Sequence, residues 1–596
     1  MSKRIKKDRL FLTMHSKIIE QLYENFKITG TNILIVLSIF VGLTTGLGAI
    51  GFIALITYFK DIFFGFSDQF LTEAVGERSF KYWLPLIPMV GGLLVGPIVY
   101  KFASEAKGHG VPEVMNAVAR LGGIIRPRVA AAKTIASAIC IGSGGSAGRE
   151  GPIVQIGSAI GSTIGQMFRL SGDRVKILVG CGAAAGISSV FNAPIAGVIF
   201  SLEIILGDFT IKTFSPVILS SVVASVVTRT FLGNHPAFEV PDYALFSAWE
   251  IPLYIGMGIL LGGYGVFFTK TLDFFEDAFD KLKIPPVSKP AIGGLLLGIL
   301  AIFYPQVLAD GYETIKLTLY GSIGIGLLII LILMKLLATS LTLGSGNSGG
   351  IFAPALFMGA VAGGAYGFLI NYLFPEVTAP PGAYALVGMA GMVAATTHAP
   401  MTALLIIFEM TADYRIILPL MVTVVFSALV AGRLFDHSIY TVKLFKRGIE
   451  IKGGKDINVL KSHIVKEIMD EQFESIKTFT PLAEIFQIIE RSNESYFVVN
   501  DNQGHLKGVI SFQDIRAILS QHTLDYLIIA QDLVHEETVT LNFDDDLEEA
   551  YKLFNLKDLR LIPVLDKRFE NKVIGVIRRD SLIDYYNKQL LETLRK

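Results

Sequence analysis

"GSGGSAGREGPIVQIGSAIG", residues 142–161, is answered further along the chain by "GSGNSGGIFAPALFMGAVAG", residues 344–363. Gly142, Ser143, Gly144, Ser146, Gly148, Pro152, Gly157 and Gly161 match Gly344, Ser345, Gly346, Ser348, Gly350, Pro354, Gly359 and Gly363. A second pair, "NAPIAGVIFSLEI" (192–204) and "HAPMTALLIIFEM" (398–410), follows at nearly the same offset. Two copies with apolar segments broken in corresponding places predict a transporter-like fold of two halves, its site where they meet.

The surroundings of the repeat agree with a membrane setting. Of 596 residues, 52% are hydrophobic and only 17% charged, and the mean hydropathy is +0.55. Ordinary soluble domains carry about 25% charged residues, so most of this chain belongs in lipid. Apolar runs extend from residue 31 to about 435, and several are too short to span alone or are cut by Gly and Pro. Backbone broken at membrane depth must be covered by protein or line a cavity, which predicts half-length and re-entrant helices. The net charge is zero, so nothing points to a nucleic-acid partner. Cys140 and Cys181 lie in apolar runs without metal-ligand spacing and read as buried, reduced thiols. Residues 1–30 are polar and basic and carry no signal-peptide pattern, and "YTVKLFKRGIEIKGGK" after the last apolar run is basic too. Both termini are therefore expected in the cytoplasm, with an even number of crossings of what reads as the plasma (inner) membrane.

Past residue 455 charge returns. "SYFVVNDNQGHLKGVISFQDIRAIL" and "LRLIPVLDKRFENKVIGVIRRDSLIDYY" each read strand, turn, strand, helix, a second and soluble repeat.

The chemistry of the opening stretch follows from its residue types. No Gly-Lys-Ser/Thr follows the glycines, so it is not a phosphate-binding Walker loop. Gly151-Pro152 ahead of an apolar run reads as a helix start, and a helix N-terminus attracts anions through its unpaired N–H groups. "GSGNSGGIFAP" repeats the arrangement with the amides of Ile351 and Phe352, and "KGHGVPEV" (107–114) is a third such start. Converging, they form a site of amide dipoles that binds an anion weakly enough to release it. Glu150 is costly in lipid; at this position its carboxylate competes with the anion, and protonation would let it swing away. Close helix packing is the plainer reading of the same glycines, and a structural pairing with Arg149 is the plainer reading of Glu150. Glu203 and Glu409 sit at equivalent repeat positions and read as structural. His109 and His398 are isolated histidines rather than metal ligands. No nucleophile–base pair, metal cluster or phosphate loop stands in the apolar region, which disfavours an enzyme. Few interior carboxylates disfavour a cation carrier.

"GHGVPE", "GREGP", "GGIFAP" and Tyr440 in "DHSIYTVKL" closely resemble the signature segments of the CLC chloride channel and transporter family, in order over residues 31–442. The C-terminal repeat resembles a tandem pair of CBS domains, spanning 463–521 and 528–592 after a linker at 443–462. The resemblance implies an all-α polytopic membrane domain of two inverted repeats with many tilted and re-entrant helices, followed by a cytoplasmic α/β CBS pair. It implies a homodimer in the bilayer with one chloride pathway per subunit and no bound cofactor beyond an adenine nucleotide at the CBS domains. By similarity His109, Gly110, Ile351, Phe352 and Tyr440 contact the anion and Glu150 gates it. The family usually has serine where this chain has His109; an imidazole N–H also donates, and a protonated ring would hold anions more strongly. Exchangers of the family commonly carry a second proton-transfer glutamate directly after the one matching Glu203, where this chain has Ile204. That favours channel-like permeation over the alternative, proton-coupled chloride exchange. In the first CBS copy Ser511 and Asp514 resemble a ribose-contacting pattern, whereas the second copy has Arg578 and Ser581 at those positions; one adenine-nucleotide site and a purely structural, dimer-stabilising role are both open readings of the pair.

Overall fold

The computed structural model describes residues 30–65, 83–233, 245–411 and 413–449, then 463–492, 496–512, 528–534, 538–557, 559–566 and 572–595, with a few single positions between. Its two compact units, one running to Arg447 and one from Asp456 onward, are described separately.

In the first unit the described helices form two sets of eight in the same order. The first set is α1 (Gly30–Phe64), α2 (Leu86–Pro97), α3 (Val111–Arg120), α4 (Pro127–Gly142), α5 (Glu150–Met167), α6 (Gly172–Phe191), α7 (Pro194–Phe200) and α8 (Ile211–Leu232). The second is α9 (Glu250–Lys281), α10 (Lys289–Phe303), α11 (Tyr312–Leu319), α12 (Ile325–Gly344), α13 (Phe352–Leu373), α14 (Pro381–Thr397), α15 (Pro400–Thr411) and α16 (Ile417–Leu434). A short α17 (Thr441–Lys446) closes the unit. Among the described residues eight helices are long and apolar enough to cross a membrane, and shorter apolar helices lie between them. The interruptions are where the sequence places them. Asn192 and His398 end α6 and α14 in the left-handed conformation, each at φ 56°, and the Ala-Pro that follows starts the next helix. His398 is thus a helix terminator. Cys140 and Cys181 are both buried and free.

Glycine brings the helices of each half into backbone contact. A Cβ on Gly157 of α5 would lie 2.2 Å from the Gly182 carbonyl oxygen, and one on Gly182 of α6 would lie 1.9 Å from that of Gly157. In the second half Gly359 and Gly388 meet in the same way, at 2.4 and 2.5 Å. These motif glycines therefore serve close packing, because no side chain fits between the backbones.

The halves clasp each other through the repeated motifs. Gly148 N–H donates to the Gly350 carbonyl at 2.8 Å and Gly350 N–H to the Gly148 carbonyl at 2.6 Å, an antiparallel bridge between the two loops. The Ser137 and Ser348 hydroxyls lie 2.9 Å apart, and their counterparts Thr339 and Ser146 lie 3.1 Å apart. Such reciprocal bonds are what two inverted halves make across a pseudo-two-fold axis.

In the C-terminal unit the sequence motif strand, turn, strand is doubled in three dimensions. β1 (Ser475–Lys477) pairs in parallel with β2 (Tyr496–Asn500), which pairs antiparallel with β3 (Leu506–Ser511); α18 (Leu482–Arg491) links β1 to β2. The second copy repeats this with β4 (Leu541–Asn542), α19 (Leu547–Lys557), β5 (Leu561–Asp566) and β6 (Lys572–Arg578), and α20 (Arg579–Arg595) follows. The lead-in segments are exchanged. Leu460 and Val465, ahead of β1, pack into the core of the second copy with Phe554 and Ile562, and Ala530, ahead of β4, packs into that of the first with Phe497 and Ile510. Neither copy's core is complete without the other, a dependence that periodicity along the chain does not reveal.

Arg578 ties the copies further. Its guanidinium bonds Asp470 at 2.5 Å and Glu494 at 2.6 Å, and this holds the Asp470 carboxyl below the usual carboxylate range. A depressed value in the folded state stabilises it above the unfolded value and is lost as pH falls through the folded one. Arg578→Ala is expected to cost about 1 kcal/mol at pH 7, because these partly exposed charges are screened by water. The readout is amide exchange at Val576, which donates to the Asp470 carbonyl at 3.0 Å. Corrected for intrinsic rates, it should quicken several-fold in the variant, and the parent should lose the same protection only below about pH 4.

Candidate anion site and gate

Glu150 is the first residue of α5 and is buried. Its Oε1 accepts the Tyr312 hydroxyl at 2.8 Å, and its Oε2 accepts the Ala353 N–H, at 3.4 Å, from the first turn of α13. The N-cap residue of α13, Ile351, makes no side-chain bond of its own, and the carboxylate of one half lies at the helix N-terminus of the other, where negative charge is favoured. Glycine makes room for it: a Cβ on Gly148 would lie 2.0 Å from Oε2, and one on Gly350 would lie 3.3 Å from it. Arg149, the partner considered from sequence, instead stacks its guanidinium 5.3 Å from the centre of the Tyr312 ring.

The third predicted helix start comes to the same place. A Cβ on Gly151 would lie 2.2 Å from the His109 carbonyl oxygen and 3.1 Å from Gly350 Cα. His109 sits between two left-handed glycines, Gly108 at φ 74° and Gly110 at φ 85°. Gly110 is held to glycine twice over, since a Cβ there would lie 2.8 Å from Gln155 Oε1. The His109 ring is buried, 5.8 Å from the Tyr440 ring, and its Nδ1 has no hydrogen-bond partner among the described residues. A buried polar atom left unpaired costs about 1–3 kcal/mol, a cost that a hydrogen-bonding ligand would relieve. Ile351 and Phe352 lie directly before Ala353, both buried, and the Phe352 ring packs 5.4 Å from Phe191. The structure therefore brings His109, Gly110, Glu150, Ile351 and Phe352 to one neighbourhood, with Tyr440 against His109.

Two lysines missed in the sequence hold this geometry. Lys133 of α4, wholly buried, donates to the carbonyls of Ala106 at 3.1 Å and Gly108 at 2.6 Å. Lys335 of α12, at the equivalent repeat position, donates to the carbonyls of Val307 and Ala309, each at 2.9 Å. Their signal was a single lysine in each of two matching apolar runs, "VAAAKTIASAIC" and "LILMKLLATSLTL". An ionisable residue at such depth marks a functional or structural partner.

Glu203 and Glu409 bond elsewhere than Glu150. Glu409 accepts the N–H groups of Ile195 and Ala196 at 3.0 and 2.6 Å, and Glu203 those of Met401 and Thr402 at 3.2 and 2.7 Å. Glu409 thus caps α7, which leads to Glu203, and Glu203 caps α15, which carries Glu409. Ile204 is buried beside Glu203 and has no proton to carry. In the C-terminal unit Ser511 ends β3, half-buried, and Asp514 lies outside the described residues. No group of three or more His, Cys, Asp or Glu among the described residues is placed to hold a metal.

A family model for the voltage-gated chloride channel matches residues 91–432, which contain every part of this site except Tyr440. The chain belongs to that family. CBS domain models match residues 465–521 and 530–588. Among CLC relatives, the putative chloride channel protein ClcB-like of Ralstonia nicotianae is 35% identical over 388 residues, 64% of this chain and 89% of that protein. The H(+)/Cl(-) exchange transporter ClcA of Vibrio cholerae is 34% identical over 356 residues, 59% of this chain and 76% of that one. A solved structure described as a slow cyanobacterial Cl-/H+ antiporter superposes with a TM-score of 0.65 at 29% identity, covering 70% of this chain and 98% of that one. The chain is thus a multi-pass CLC protein of anion transport carrying a CBS pair.

Proposed function

We propose that this CLC protein exchanges chloride for protons, with Glu150 as the group that both blocks the anion and carries the proton. The observation behind this reading is the Glu150 carboxylate seated at the N-terminus of α13. The charged carboxylate and an anion compete for that one position, so anion entry and proton uptake by Glu150 are linked. An exchanger needs that competition; a channel needs only that the carboxylate leave. Relatives described as H+/Cl- exchangers weigh on the same side, whereas Ile204 favours the channel-like reading made from the sequence. In this reading His109 Nδ1, the Tyr440 hydroxyl, the Gly110 loop and the amides of Ile351 and Phe352 receive the central chloride. The protein works as a homodimer, with both termini in the cytoplasm, in the plasma (inner) membrane. Ser511 and Asp514 would offer one adenine-nucleotide site, the second copy's position being occupied by Arg578 in its ion pairs.

Chloride efflux from proteoliposomes, started with a potassium ionophore while external pH is recorded, tests the reading. Protons driven uphill by chloride support exchange. Chloride flux with no linked proton movement would return the assignment to a channel.

A further inference from the structure

The repeat extends to a segment not recognised in the sequence. Gly108 and Gly110, left-handed, precede α3; Ala309 and Gly311, left-handed at φ 51° and 78°, precede α11. Lys133 clamps the first segment through two carbonyls and Lys335 clamps the second in the same way. The first delivers His109 to Tyr440. The second delivers Tyr312, the first residue of α11, to Glu150.

We propose that Tyr312 is the latch of the Glu150 gate, a positioning residue whose hydroxyl holds the carboxylate in its blocking seat and must release it for an anion to pass. This rests on the reading of Glu150 as the gate. The bond is a charge-assisted one at 2.8 Å, better formed than the 3.4 Å bond from Ala353 N–H. Its donor is fixed from three sides. Arg149 stacks on the ring, the Ala309 N–H donates to the Gly144 carbonyl at 3.0 Å, and the place of a Gly311 Cβ is filled by Phe357, 2.5 Å away. A donor so held selects one position of a carboxylate that would otherwise swing freely. The titratable and charged groups facing Glu150 are Arg149 on its own helix start, Asp310 and Tyr312 ahead of and on α11, and Tyr440 ahead of α17. Arg149 favours the charged carboxylate and Asp310 opposes it, and Tyr312→Phe keeps both groups as well as the ring on which Arg149 stacks. The phenol keeps its own proton throughout, and the proton that neutralises Glu150 on release comes from the water outside.

The test is chloride flux against pH for the full-length protein in proteoliposomes, comparing the parent with Tyr312→Phe, Glu150→Gln and the double variant. Without its donor the seated carboxylate is held less firmly, so Tyr312→Phe should raise flux several-fold at pH 7. It should also move half-maximal flux upward by about one pH unit, a tenfold change in proton binding. The double variant should coincide with Glu150→Gln. If Glu150→Gln kept the parent's pH profile, the gate reading would fall and the latch with it. If Glu150→Gln lost that profile while Tyr312→Phe superposed on the parent, the latch alone would be overturned. A double variant differing from Glu150→Gln by the factor separating Tyr312→Phe from the parent would show that the hydroxyl supports the fold rather than the gate.

Discussion

Glu150→Gln is expected to end proton coupling while chloride still flows, the largest functional change any single substitution here should produce. Glutamine keeps the size of the side chain and an acceptor oxygen for the Tyr312 hydroxyl, so the fold around α5 has no reason to shift. What it loses is charge. A carboxylate at an uncapped helix start is favoured by the dipole and by its hydrogen bonds, and a neutral amide competes with chloride far less well. Nor can it take up a proton in the physiological range. Chloride flux should therefore become nearly independent of pH, and the uphill proton signal should vanish. Proton transport surviving in the variant would place the coupling group elsewhere, and Ile204 means that no second glutamate stands directly after Glu203 to replace it.

Lys133→Met is expected to be the most damaging substitution for stability. Its ammonium is wholly buried and satisfies the carbonyls of Ala106 and Gly108. Methionine fills much of the volume but leaves both carbonyls buried without that donor, at about 1–3 kcal/mol each. The cost should therefore be about 2–6 kcal/mol, enough to lower the thermal midpoint in detergent by several degrees. Function should fall beyond what instability explains, because the clamped backbone carries His109. At a temperature where the variant remains folded, chloride binding by calorimetry should weaken well below the parent's. Lys335→Met should cost comparable stability through Val307 and Ala309 while sparing the His109 side of the site. Equal loss of chloride affinity in both variants would contradict this division of labour.

Much of this was legible along the chain because repeats and helix punctuation are local facts. "GREGP" and "GGIFAP" announced two equivalent helix starts, the Ala-Pro pairs announced breaks in two long apolar runs, and a lone glutamate among glycines announced a group that could not face lipid. The second, soluble repeat was visible from its alternation of strand and turn. Burial, reduced thiols and a membrane setting needed no more than composition.

What only the tertiary structure decided is which distant residues meet. Tyr312 stands 162 positions from Glu150, in a segment that resembles "GHGVPE" only in its left-handed backbone and not in its side chains. Repetition of conformation without repetition of sequence leaves no pattern to read. The paired lysines show the same limit: each looked like an isolated charge in an apolar run until the carbonyls of the loop ahead of it closed around the ammonium. Sequence determined where helices begin and which groups are too costly to leave in lipid. The fold alone decided what pays that cost, because hydrogen bonds to buried charges form between elements that the inverted repeat brings together, not between neighbours on the chain.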